Sequence, residues 1–90
     1  GREFDAIIMN PAFEKGHDSA EILRVYRWLK RGGTLVSIVA RPTIESPRGK
    51  NELQLGQMVT DQGFTERLED GSFDHARTGV KTNIIVLHKP

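Results

Sequence analysis

The chain has 90 residues, 37% of them hydrophobic and 28% charged, with a net charge of +1 and no cysteine. This is enough for one small domain over residues 1–90, and such a domain buries about 60–65% of its unfolded surface. A disulfide framework and a thiolate metal site are excluded, and the near-zero net charge provides no global pull toward nucleic acid.

No apolar run approaches the roughly 20 residues of a membrane span, and no signal peptide is visible, so no membrane partner is expected. The lack of cysteine fits a cytoplasmic location. Gly1 in place of an initiating Met is read as the mark of a cleaved or excised piece.

Phe4 to Met9 reads as the first strand. Ile7, Ile8 and Met9 leave no polar face, which suits a strand covered on both sides. Pro11 has no N–H for a ladder, so the strand ends at Met9 or Asn10. In an open α/β sheet, ligands sit beyond the carboxyl ends of the strands. Asn10, Pro11, Ala12 and Phe13 therefore fall at a candidate site.

Asp18-Ser19-Ala20-Glu21 reads as a helix start, with Asp18 as cap and Glu21 completing a capping box. Ile22, Val25, Tyr26 and Leu29 then form one apolar stripe in a helix running to Arg31. Lys30 and Arg31 suit the negative helix end, and Gly32 a left-handed stop. Trp28 either packs beside the stripe or is an exposed partner contact. Thr34 to Ala40 is a β-branched run and reads as a second buried strand. Strand, helix, strand makes a crossover unit of right-handed sense.

Arg41 to Lys50 holds two prolines and a glycine and reads as a loop beyond a strand's carboxyl end. A second helix spans Glu52 to Gln62, capped by Asn51 and ended by Gly63. Phe64 to Leu68 alternates as a strand with one wetter face, Glu69 to Ser72 is a turn, and Phe73 to Lys81 is a polar connection. Thr82 to His88 is a last strand, apolar on both faces and therefore inside the sheet. Glu45 has no obvious acid–base partner. His17, His75 and His88 lack metal spacing, and surface or capping roles are expected, with no metal site.

Asn10-Pro11-Ala12-Phe13 resembles the Asn/Asp-Pro-Pro-Tyr/Phe motif of class I S-adenosylmethionine-dependent methyltransferases that modify planar nitrogens. Within that group the chain is most similar to adenine-N6 DNA methyltransferases of the phage and mobile-element type. The likeness continues through Gly16-His17-Asp18, Gly32-Gly33-Thr34-Leu35-Val36 and Thr78 to Val86. It covers nearly the whole chain but only the C-terminal half of the family's domain.

The resemblance implies a three-layer, Rossmann-like α/β half-domain. Its mixed sheet has about four strands: two parallel strands in a crossover unit, a third, and a last strand inserted antiparallel between the two preceding ones, with two helices. It implies a catalytic role for Asn10, Pro11 and Phe13, with Asn10 also touching the S-adenosylmethionine cofactor. Ala12, Phe13, Lys15 and Arg48 would contact substrate.

The chemistry fits those residue types. The exocyclic amine of adenine is a poor nucleophile, and two adjacent acceptors, the Asn10 side-chain oxygen and the Pro11 carbonyl, can draw its hydrogens and align it. An aromatic two residues on can stack a flipped base. Ala12 replaces the family's second proline, a loss of about 1 kcal/mol of preorganisation. The family's Gly-rich cofactor turn has no counterpart upstream of Phe4, so the chain alone is expected to be inactive.

Lys15, Arg41, Arg48 and Lys50 lie on loops at the presumed ligand edge, and Arg77 and Lys81 on the last connection. They are either phosphate contacts or solvated charges. An RNA or protein-glutamine methyltransferase and a non-catalytic, methyltransferase-derived binding or assembly module are the alternatives. The expected partners are DNA and either a second copy or a missing N-terminal half, since Phe4 to Met9 would otherwise be an open apolar edge.

Overall fold

A computed structural model of the chain describes residues 3–11, 17–68 and 81–90. The elements in order are β1 (Phe4–Met9), α1 (His17–Tyr26), β2 (Leu29–Ala40), α2 (Arg41–Glu45), α3 (Lys50–Gln62), β3 (Gly63–Arg67) and β4 (Thr82–His88). The sheet order is β1-β2-β4-β3. β1 and β2 run parallel, and β4 is antiparallel to both β2 and β3. The fold is thus an open, mixed α/β sheet with a parallel crossover unit and the last strand inserted between its neighbours.

Strand register explains the core. One row across the sheet pairs Ile7 with Leu35, Leu35 with Leu87 and Leu87 with Gly63. Leu35, Val39, Ile85 and Leu87 point inward with Ile22 and Val25 of α1 and Leu55 and Val59 of α3, forming one buried cluster with Leu29. Both long helices therefore share one face of the sheet. Gly63 belongs to this row for a steric reason: a Cβ there would come within 1.7 Å of the Val86 carbonyl oxygen.

Because side chains alternate across a strand, the next row faces the other way. It runs Ile8, Val36, Val86, Phe64. Ile8 is 85% exposed and Phe64 49%. Among the described residues no helix covers this face, so β1, expected to be covered on both sides, leaves Ile8 open.

Several boundaries differ from the sequence reading. The first helix stops at Tyr26 rather than Arg31, and the second strand begins at Leu29 rather than Thr34. The Phe4 N–H donates to the Trp28 carbonyl (2.9 Å), and Phe4 pairs with Leu29, so sheet pairing claims the last turn of the expected helix. The register then shifts between Phe4 and Ala6, where the longer β2 must absorb extra residues. Gly32 does adopt a left-handed φ of 86°, but within this irregular strand rather than at a helix stop.

The segment read as a loop contains α2, which starts with Pro42 near its N-terminus, where no N–H is needed. Among the described residues that makes three helices instead of two. α3 starts at Lys50, and Gly49 rather than Asn51 is its N-cap, with no side-chain cap. The Glu52 carboxylate instead accepts the Arg48 N–H (2.8 Å). β3 lies one residue earlier than expected at each end.

Candidate functional site at the carboxyl ends of the strands

Asn10 and Pro11 follow β1 directly, Asn10 exposed and Pro11 buried. Met9 pairs with Ser37, so the corner stands beside the last residues of the longer β2. The expected position at a parallel strand's carboxyl end is therefore met by Asn10 and Pro11. Ala12, Phe13 and Lys15 lie outside the described residues, as do His75 and Arg77.

A buried carboxylate holds the carboxyl end of β2. Asp18 is fully buried. Its Oδ1 accepts the Ser19 N–H (2.8 Å) and its Oδ2 accepts the Ala40 N–H (2.9 Å). The Thr43 hydroxyl lies 3.0 and 2.9 Å from the two oxygens. Asp18 thus staples the start of α1 to the β2–α2 junction. This replaces the capping box: Glu21 turns outward and pairs with Arg24 (2.7 Å). Burial of the carboxylate is offset by these donors.

A second polar cluster joins the other strands at the same edge of the sheet. Arg41 donates through Nε to Asn83 Oδ1 (2.8 Å) and through Nη2 to the carbonyls of Leu68 (3.0 Å) and Thr82 (2.9 Å). Its guanidinium is occupied by the fold, which removes it from the phosphate-contact candidates. Glu45 has structural partners, none of them a general acid or base. Arg67 donates to it through Nε (2.8 Å) and Nη2 (2.5 Å), and Asn83 Nδ2 adds a third bond (3.1 Å). The Arg67 hydrogen bonds first, then that from Asn83, hold the Glu45 carboxyl down at about 2, against an ordinary 4.5.

Arg48 and Lys50 are exposed near this edge. Arg48 shares no described ion pair or side-chain hydrogen bond, so its charge is available to solvent or ligand. Lys81 is exposed as well. His17 is exposed, and His88 is exposed with its Nδ1 3.1 Å from the Thr34 hydroxyl. Among the described residues no group of three or more His, Asp or Glu could hold a metal ion. No described helix is long and apolar enough to cross a membrane.

Among the described residues no glycine-rich turn follows the carboxyl end of a strand. Gly32 and Gly33 lie at the amino end of β2, bonded to Lys89 and away from the Asn10 corner. A Cβ on Gly33 would meet the Asp5 carbonyl at 2.8 Å, so that glycine serves strand packing. Of the residues the resemblance assigns, Asn10, Pro11 and Arg48 are described, and Asn10 and Pro11 stand at the carboxyl end of β1. The chain matches no protein-family model and no curated protein.

Proposed function

We propose that this chain is the acceptor-binding half of an adenine-N6 DNA methyltransferase-like protein of the cytoplasm, inactive without a donor-binding half. The observation that carries the reading is the Asn10-Pro11 corner at the end of β1, in a sheet ordered β1-β2-β4-β3 with its last strand antiparallel. That order is the one the resemblance implies. The chemistry available to these residues is acceptance. Asn10 Oδ1 and the Pro11 carbonyl take hydrogen bonds from an exocyclic amine, and Phe13 stacks the base. Proline fixes the backbone between the two acceptors, so the amine is oriented without an ordering cost at the moment of reaction.

The donor pocket is assigned to another polypeptide segment, since no cradle for it is formed by the described residues. The test is reconstitution. Labelled S-adenosylmethionine should bind weakly or not at all to the chain alone. Addition of a donor-binding half of the same class should restore transfer to adenine in DNA, and Asn10→Ala should abolish it. Tight cofactor binding by the isolated chain, or full activity of Asn10→Ala, would refute the reading. RNA and glutamine-amide substrates run in the same assay define the acceptor.

A second reading, a non-catalytic assembly module, is favoured by the open sheet face. The row Ile8, Val36, Val86, Phe64 and the unpaired edge of β1 are surfaces that a second copy or a donor-binding half would cover. Under that reading oligomerisation persists while no pairing with a donor-binding half restores methylation.

A further inference from the structure

The amino ends of β1 and β2 collect exposed aromatic side chains and a set of cations, of which Arg27 and Arg31 make no described side-chain contact with the fold. Trp28 is 46% exposed and Phe4 43%, and the Phe4 N–H donates to the Trp28 carbonyl, so the two rings leave from adjacent points of backbone. The Arg24 guanidinium lies 5.5 Å from the Trp28 ring centroid. Arg27 and Arg31 flank the tryptophan, exposed and without a described partner.

Lys30 and Lys89 complete the cationic set. Lys30 pairs with Asp5 (2.9 Å), and Lys89 Nζ reaches the carbonyls of Leu29 (2.7 Å) and Tyr26 (3.4 Å). Three carboxylates are near, Glu3, Asp5 and Glu21, of which Asp5 and Glu21 are already paired. The helix dipole accounts for Arg24 in the last turn of α1. It does not account for Arg27 and Arg31, which lie in the turn and in β2.

We infer that this end of the sheet is a single-stranded nucleic-acid contact, in which Trp28 stacks an unpaired base and Arg27 and Arg31 hold the adjoining phosphates. The argument is one of complementarity. Guanidinium forks match phosphate oxygens, and an exposed indole offers a stacking surface that an acidic peptide would not use. Arg24 beneath the ring adds a cation–π contribution and holds the indole in place. The patch sits at the opposite ends of the strands from Asn10, so the inference stands independently of the methyltransferase reading.

The experiment is anisotropy of a short dye-labelled oligothymidylate titrated with the protein at several salt concentrations. Binding should weaken with salt, with a log–log slope of about −0.7 for each phosphate neutralised. Arg27→Glu with Arg31→Glu should abolish it. Trp28→Ala should weaken it about 5-fold or more, and Trp28→Phe less than Trp28→Ala. Circular dichroism should show each variant folded. Unchanged affinity in the folded charge-reversed variant overturns the inference. So does equal competition by polyglutamate, or the absence of any binding by the unmodified protein.

Discussion

Asp18→Asn isolates the contribution of the buried staple. The change keeps the shape but turns one acceptor oxygen into an NH2 donor. Oδ1 serves the Ser19 N–H and Oδ2 the Ala40 N–H, so either amide orientation sets a donor against a backbone donor. One unsatisfied buried N–H and the loss of charge assistance together cost about 2–4 kcal/mol. A domain of this length has roughly 5–13 kcal/mol in total, so the loss is a large fraction of it. The melting temperature should fall by roughly 10–25 °C. The assay is urea unfolding followed by far-ultraviolet circular dichroism, with the slope expected to stay constant while the midpoint drops. Thr43→Val should cost about 1 kcal/mol alone and be non-additive with Asp18→Asn, because the two side chains share the bond. A midpoint for Asp18→Asn indistinguishable from the unmodified protein would refute the staple.

Three further outcomes follow from other sites. Glu45 has a folded value near 2, below its ordinary 4.5, so the stability it contributes is complete above pH 4.5 and is lost as pH falls toward 2. Glu45→Gln should flatten the stability–pH curve in that window, and an unchanged acid slope would show that the Arg67 pair contributes nothing. Gly63→Ala should destabilise by several kcal/mol, since a Cβ would lie 1.7 Å from the Val86 carbonyl oxygen, whereas Gly56→Ala, in open space on α3, should stabilise by about 0.5–1 kcal/mol. Thermal melts of the two variants moving in the same direction would contradict this. Ile8→Lys, on a side chain 85% exposed, should shift stability by less than about 0.5 kcal/mol while reducing self-association in sedimentation. Unaltered sedimentation would free the outer sheet face from that role.

Much of the fold was legible because periodicity survives tertiary context where runs are long and apolar. The strand Thr82 to His88 was read with both ends correct, since Ile84, Ile85, Val86 and Leu87 permit nothing but a buried strand. The corner at Asn10 and Pro11 was equally legible, because proline ends a ladder wherever it occurs. Legibility failed at Leu29 to Arg31. Leu29 continues the helical stripe of Ile22, Val25 and Tyr26, and a strand pairing with Phe4 overrode it. Sequence spacing cannot weigh a helix turn against a hydrogen bond to a residue more than twenty positions away.

The polar sites show the same division. Asp18 before Ser19 carries every local sign of a cap, and no local signal points to Thr43 or Ala40. Glu45 gives no local hint of Arg67, and the spacing around Trp28 fits packing and exposure equally, whereas the fold leaves its ring 46% exposed. By itself the sequence determined the four strands, the two long helices, their order and the end of the first strand at Asn10 and Pro11, since these follow from neighbours within a few residues. Tertiary structure alone decided which carboxylate is buried, which guanidinium is consumed and which sheet face stays open. Those outcomes depend on groups made adjacent only when the strands take their register.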